Sequence, residues 1–471
     1  MALARQAAAA HRVAAAGAGC YCWGVSGRVP FPGILLLALA VRLAAVGVSF
    51  AVPGALALRE YHAPAHRCGT LGEWVQRRPV CAPLAEDELA YDALGRSIAA
   101  GHGFVLDYPW VYNTANEPTA YGNFLYPAFV GSIYALSGGS ALALTLVQVL
   151  LGVCAVVALA VAARDLAGRR AGILVGLVAA LHPGLVLSSV LVLTEALEVP
   201  ILVALVLAWV RLVRAPSGRG AALVGALAAA ACLTRSPALY AVPVMVVATL
   251  AGRDARTALH PRLLLGALAV ALLLMLPWTV RNAVRYGAFV PADTKAGAAL
   301  WLFNHPSPSP LREVWTGLPN AVPPPGPIPG LNEAQTDVHF RGLAMRYIAG
   351  APLAFAEASL LRLGKFLVPF PRDWDHPWLK GAVTAVYTAV TWLGLAGLWR
   401  ARRTLVGRAL LGLGFTWIAL LAATSTGLRH RLSVEWVLAF GAGLVLADVW
   451  TRMSAPPRAA SVPSAGAARA A

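Results

Sequence analysis

Runs of about twenty apolar residues, most of them ended by arginine, recur along this chain, and a helix of that length crosses the hydrocarbon of a bilayer. Counting from charge to charge places spans near 31–52, 140–163, 171–188, 193–212, 221–234, 237–251, 262–280, 380–399, 409–424 and 433–451. The pattern predicts an all-α polytopic membrane protein with about ten transmembrane helices. An even number puts both termini on one side. The first run has the look of a secretion signal, but it is long, Arg42 interrupts it and further spans follow, so it is read as retained.

Between the spans lie two large loops, roughly 55–139 and 282–379. Leu89–Ala100, Leu125–Leu136 and the stretch PLAFAEASLLRLGKFLVPF at 352–370 are apolar enough to tempt further spans. In the last of these Glu357, Arg362 and Lys365 intrude, and an eleventh crossing would reverse the parity, so interfacial helices are expected in all three. The segment PPPGPIPG at 323–330 reads as a stiff loop tip. The expected organisation is a cytoplasmic tail over 1–30, one transmembrane domain over 31–451 and a disordered cytoplasmic tail over 452–471.

Composition and charge orient this bundle. The chain is 59% apolar and 13% charged, with mean hydropathy +0.67, which belongs to a membrane protein. Six short stretches (1–30, 164–170, 211–220, 252–262, 400–408 and 452–471) hold 19 Arg and only Asp165 and Asp254, so they carry the whole formal net charge of +17. Arginine concentrated in alternate short loops marks the cytoplasmic side. Both termini are therefore expected in the cytoplasm of a bacterial inner membrane, with the two large loops outside. The basic residues are scattered as loop anchors, without the clustering with base-reading side chains that nucleic acid requires, so no nucleic-acid partner is expected.

Of the six cysteines, Cys68 and Cys81 share the first outer loop, where an oxidising compartment permits a bridge; free thiols are the alternative. Cys154 and Cys232 fall within spans as packing residues, and Cys20 and Cys22 form no metal spacing. No HExxH or paired CxxC appears, so no protein-bound metal site is expected.

Charges that the bilayer makes expensive point to the chemistry. Glu195 lies about 24 Å of helix rise before Arg211, near the outer end of its span. Arg235, Arg281, Arg429, Arg431 and Glu435 come to the same outer level, and the loop acids Asp87 and Glu88 reach it too. Such a mouth suits a lipid-phosphate sugar: arginine neutralises the leaving phosphate and a carboxylate deprotonates an acceptor hydroxyl. The plainer reading is that Glu195 with Arg235, and Arg431 with Glu435 four residues on, are ion pairs that let helices tolerate charge, and that Asp87 caps a helix.

Asp87-Glu-Leu-Ala-Tyr91, then IAAGHGF at 98–104 and FLYP at 124–127, resembles the first outer loop of bacterial GT-C glycosyltransferases, the protein O-mannosyltransferase-like enzymes of glycosyltransferase family 39, related to the lipid A aminoarabinose transferase. HPG at 182–184 with LTEAL at 193–197, LTRSP at 233–237, PWTVRN at 277–282 and RHRLSVE at 429–435 follow in the family's order. The resemblance covers roughly 30–450. It implies transfer of a sugar, with inversion, from a polyprenyl-phosphate donor to a protein, lipid or glycan acceptor on the outer face. It makes Asp87 the candidate general base and Glu195, with Thr194, an acceptor-orienting acid. Tyr91 and Glu88 help shape the site, with Arg235. Trp278, Arg281 and Asn282 grip the donor phosphate, with Lys295 and Arg431 as helpers. No cofactor is required on this reading, although Asp87 with Glu88 can bind a divalent cation weakly. Ser236 before Pro237, the RLSVEW form of the last motif and the extra stretch at 55–85 depart from the family's pattern, in the regions expected to choose the acceptor. A transporter or lipid flippase is the alternative; against it, the sequence shows no inverted repeat or paired broken helices.

Overall fold

The computed structural model describes residues 32–51, 65–69, 80–84, 86–109, 111–252, 260–306, 326–370, 377–425 and 427–454. The two expected tails, with Cys20 and Cys22, lie outside these residues. The elements are α1 (Pro32–Ala51), strands β1 (Ala65–Gly69) and β2 (Val80–Leu84), α2 (Glu86–Ala99), α3 (Leu125–Ser137), α4 (Ala141–Ala167), α5 (Arg169–Leu181), α6 (Pro183–Leu187), α7 (Glu195–Arg214) and α8 (Gly218–Thr234). A 3-10 turn (Ser236–Tyr240) leads into α9 (Ala241–Leu250), followed by α10 (Pro261–Tyr286), α11 (Ala296–Phe303), α12 (Glu333–Gly350), α13 (Pro352–Leu367), α14 (Pro377–Ala401), α15 (Leu405–Ala423) and α16 (Leu432–Met453).

Each expected span coincides with helix. Seven of these helices (α1, α4, α7, α10, α14, α15 and α16) are long and apolar enough to cross a membrane, and α8 and the segment Ser236–Leu250 are shorter apolar helices. The expected span at 171–188 is divided: Pro183 cannot donate an amide and drives the residue before it out of the helical region, so His182 is extended (φ −62°, ψ 119°) between α5 and α6. Side-chain caps start several helices. Ser140 accepts the Ala143 amide before α4, and Thr404 accepts the Gly407 amide before α15, which satisfies donors that a helix start leaves free.

In α16, 78% of the apolar stretch is buried, against 17% in α10, so α16 is central and α10 faces lipid. Helix α16 approaches α14 backbone to backbone because Gly394 and Gly397 face Leu438 and Gly441; a Cβ at Gly397 would overlap the Gly441 carbonyl. Small residues at such crossings let helices pack without a hydrophobic driving force.

The expected interfacial segments are helices α2, α3 and α13. Tyr91 and Leu94 of α2 pack with Tyr126 and Tyr134 of α3, with Val192 just ahead of α7 and with Ala196 in its first turn, the Leu94 and Val192 burials each contributing about 1.5–3 kcal/mol. This cluster seats the first outer loop on the bundle. The only sheet among the described residues is the β1–β2 hairpin, antiparallel, with Cys68 directly opposite Cys81. Their side chains lie outside the described set. Among the described cysteines, Cys154 is free and exposed and Cys232 is free and buried.

Candidate functional site

Asp87 stands in the first turn of α2 and forms an ion pair with Arg429, in the turn before α16. Glu88, next to it, is buried and accepts the Val192 amide at 2.8 Å, which pins α2 to the chain just ahead of α7. Glu195, the first residue of α7, is fully buried and accepts from Arg235 at 2.5 Å. Thr194 donates to the other carboxylate oxygen of Glu195 at 3.1 Å, and the Arg429 Nε lies 4.0 Å from the first. Arg235 also comes within 3.5 Å of Glu198, one helical turn on, which takes a 2.6 Å bond from Ser433. Three acids and two arginines from four separated segments therefore form one cluster.

A lysine completes it. The Lys295 ammonium donates to the Tyr91 hydroxyl at 2.8 Å and lies 5.3 and 5.1 Å from the centres of the Tyr91 and Tyr121 rings, within the range of cation–π attraction. Its loop is held from two sides. From α10, the Trp278 indole donates to the Ala292 carbonyl at 2.7 Å and the Asn282 amide donates to the Val290 carbonyl at 3.0 Å. From α12, the buried Glu333 carboxylate accepts Thr294 at 2.5 Å, Thr119 at 2.7 Å and the Ala120 amide at 2.9 Å, so it clasps both outer loops together.

Electrostatics follow from this packing. Burial works to raise the Asp87 carboxyl, but Arg429 and then Lys295 outweigh it and hold Asp87 down at about 2. Asp87 is thus ionised throughout the neutral range, and the same pairing raises Arg429 above the usual guanidinium value despite its burial. His430 is pushed down to about 4 by burial and by the Arg429 and Arg235 charges, so it is neutral at pH 7. Burial also raises Glu333, against the pull of its hydrogen bonds.

Asp87, Tyr91, Glu195, Arg235 and Lys295 of the sequence reading come together. Others do not. Trp278 and Asn282 are taken up in backbone bonds to the Lys295 loop, and Arg281 turns along its own helix, bonding Asn282 at 2.8 Å and stacking 4.8 Å from the Trp278 ring. Glu88 is spent on the Val192 amide. Arg431 has no exposed surface: it bonds Glu435 at 2.6 Å, Thr391 at 2.8 Å and the Phe366 carbonyl, and Glu435 lies 3.3 Å from His182. For Arg431 and Glu435 the plain ion-pair reading therefore describes the geometry. Sequence reasoning placed Arg429 at the level of the site without giving it a role, and passed over Glu198 and Glu333. Glu198 carried a signal, one turn after Glu195; Arg429 and Arg431 flank His430, and nothing local says which faces the site.

Among the described residues, no group of three or more His, Cys, Asp or Glu side chains is placed to hold a metal ion. What the acids do form is a cluster in which fixed carboxylates alternate with the Arg235, Arg429 and Lys295 cations.

A multi-pass helical membrane protein with an acid–cation cluster at one end of its bundle is the class that this geometry defines. Residues 122–280 match the family model described as dolichyl-phosphate-mannose-protein mannosyltransferase. The fold is shared with the oligosaccharyltransferase of Archaeoglobus fulgidus in its apo form, at 14% identity over 90% of this chain and 51% of that one, with a TM-score of 0.51. The same archaeal enzyme, AglB, in complex with an inhibitory peptide and a dolichol-phosphate matches at 15% identity, with the same coverage and a TM-score of 0.52. ArnT from Cupriavidus metallidurans bound to undecaprenyl phosphate matches at 17% identity over 86% of this chain and 78% of that one, with a TM-score of 0.40. The chain spans about half the length of the archaeal enzyme. No curated protein matches the sequence significantly. By fold, the chain is a polytopic helical membrane protein that shares the architecture of the archaeal oligosaccharyltransferase.

Proposed function

We propose that this protein is an inverting glycosyltransferase that moves a sugar from a polyprenyl-phosphate carrier to an acceptor hydroxyl at the extracytoplasmic face of a bacterial cell membrane. Residues 31–451 form its catalytic domain, and both termini are cytoplasmic. The observation that carries the reading is the Asp87–Arg429 pair set beside Lys295, Arg235 and Glu195. The match of residues 122–280 to a lipid-phosphate-sugar transferase family supports it, as does the shared fold of an archaeal enzyme solved with a dolichol-phosphate and a peptide.

In this scheme the donor phosphate binds Lys295 and the arginines, which stabilise the charge that grows as the anomeric C–O bond breaks. Asp87 takes the acceptor hydroxyl proton, the acceptor oxygen attacks the anomeric carbon from the face opposite the phosphate, and the polyprenyl phosphate departs with the bonding electrons. A carboxylate held near 2 is a weak base. A phosphate that draws Arg429 toward itself removes the main attraction holding Asp87 down, so donor binding strengthens the base. Glu195, fixed by Arg235 and Thr194, orients the acceptor. Protein, lipid and glycan hydroxyls all suit this chemistry.

Charge neutralisation falls to these cations, because Asp87, Glu195 and Glu198 are each already engaged by a guanidinium. An archaeal relative of the same fold was solved with Zn and sulfate, so turnover in the presence of a chelator, with and without added Zn or Mn, tests this point. The main experiment measures polyprenyl phosphate released from a panel of polyprenyl-phosphate sugars, wild type against Asp87→Asn. Turnover of one donor that collapses in the variant, with donor binding kept, is the expected result; full activity in Asp87→Asn removes Asp87 from the mechanism.

A further inference from the structure

Arg42 sits about 15 Å along the first spanning helix and is 1% exposed. A guanidinium at this depth is costly, yet its four hydrogen bonds all go to neutral acceptors: the Ser189 hydroxyl at 3.1 Å, the Leu185 carbonyl at 3.1 Å, the Ala38 carbonyl at 3.3 Å and the Ala180 carbonyl at 3.4 Å. Three of the four acceptors belong to the end of α5 and the segment after it. There the chain breaks at His182–Pro183 and runs without regular helix from Ser188 to Thr194, with every one of those residues buried. Irregular backbone at membrane depth is tolerated only where it is buried in protein with its polar groups paired; turn bonds pair the amides of Ser188 to Leu191, and the groups they leave need other partners.

Three side chains act as such partners, each from a different element. Arg42 of α1 holds the Leu185–Ser189 end. Gln148 of α4, itself fixed by the Tyr126 hydroxyl at 2.7 Å, donates to the Leu191 carbonyl at 3.1 Å. Glu88 of α2 takes the Val192 amide at 2.8 Å. The far end of the same segment is Thr194 and Glu195, and the residue beside Glu88 is Asp87.

We propose that Arg42 is a positioning residue for the acidic site: by fixing the buried turn 185–194 from within the bundle it sets both Glu195 and, through Val192 and Glu88, the placement of Asp87. A planar fork with five donors can make all four of these bonds at once, whereas a lysine ammonium has three donors. The fit around it is tight. A Cβ added at Gly152 would collide with the Ser189 hydroxyl and lie 3.1 Å from the Arg42 Nε, so Gly152→Ala disturbs the same contact without removing charge.

The test is amide hydrogen exchange of the full chain in nanodiscs, resolved over 185–194, for wild type, Arg42→Met, Arg42→Lys, Ser189→Ala and Gly152→Ala. Arg42→Met is expected to speed exchange at 188–194 on the order of tenfold or more while α14–α16 keep their protection. Arg42→Lys, Ser189→Ala and Gly152→Ala are expected to fall between. Unchanged exchange at 188–194 in folded Arg42→Met overturns the proposal. If that variant does not fold, unchanged exchange in both Ser189→Ala and Gly152→Ala overturns it instead. The catalytic arm rests on the function proposed above: with a turned-over donor, kcat falls in the variants while KM for the donor holds, and a change in KM alone counts against positioning. Should the wild type turn over no donor, that function fails and the exchange data still decide whether Arg42 holds the turn.

Discussion

Asp87 and Arg429 stand 342 positions apart in the chain and bond side chain to side chain at one end of the bundle. One belongs to a loop helix and the other to the turn ahead of the central span, so the pair closes the first outer loop over the last transmembrane helix. Removing the carboxylate charge with Asp87→Asn is expected to lower turnover by about 10²–10⁴-fold, the usual size of a general-base contribution. Release of polyprenyl phosphate measures it, with donor binding followed separately.

Arg429→Gln leaves Asp87 with its burial and without its main counter-charge. The carboxyl is then expected to rise by about 1–3 units, and the acid limb of the pH–rate profile moves to higher pH by the same amount. The sign for stability follows. In the wild type the depressed Asp87 value stabilises the fold above the ordinary carboxyl pKa, and that contribution disappears as pH falls toward about 2. Acid unfolding of Arg429→Gln should lack this component, and an acid limb left where it was in the wild type would count against the pairing.

Arg431 and Glu435 are both buried without exposed surface. Breaking this pair by Arg431→Met is expected to cost about 3–5 kcal/mol, because Glu435 is left as an uncompensated buried charge. The double replacement Arg431→Met with Glu435→Leu should recover much of the loss. Thermal unfolding in detergent reads both. A stable Arg431→Lys protein that no longer binds donor would return Arg431 to the substrate site.

Gly397→Leu forces a side chain against the Gly441 backbone. Overpacking at a close helix crossing is expected to cost about 1–3 kcal/mol and to separate α14 from α16. Cysteine cross-linking between these helices reports the separation, and unchanged cross-linking and stability would show that the crossing accommodates the side chain without parting.

Cys68 and Cys81 face each other across β1 and β2, and Cα partners in an antiparallel ladder stand about 4.5–5.5 Å apart, inside the range a disulfide spans. In protein purified from an oxidising compartment, both thiols are expected to resist alkylation until reduced. Labelling of either without reductant would show them free.

How much of this was legible beforehand is clear from particular elements. The spans were readable because burial in lipid acts on every residue of a helix at once: a run such as 141–163 is almost wholly apolar, and arginine marks its end. Glu195 and Arg235 at the outer level followed from helix rise alone. What the linear order did not contain was direction. Arg429 and Arg431 differ by two positions near the start of a helix, and that offset sends one side chain to Asp87 and the other into the core against Glu435 and Phe366. Trp278 and Asn282 were expected to grip a phosphate because the family resemblance implied that role. Packing decided instead that their donors serve the loop carrying Lys295. The sequence by itself determined the membrane class and the common level at which charges collect, since these depend on sums over many residues. Only the tertiary structure decided which charge meets which, because a hydrogen bond depends on the placement of two atoms to within a fraction of an ångström and that placement is set by helices distant in the chain.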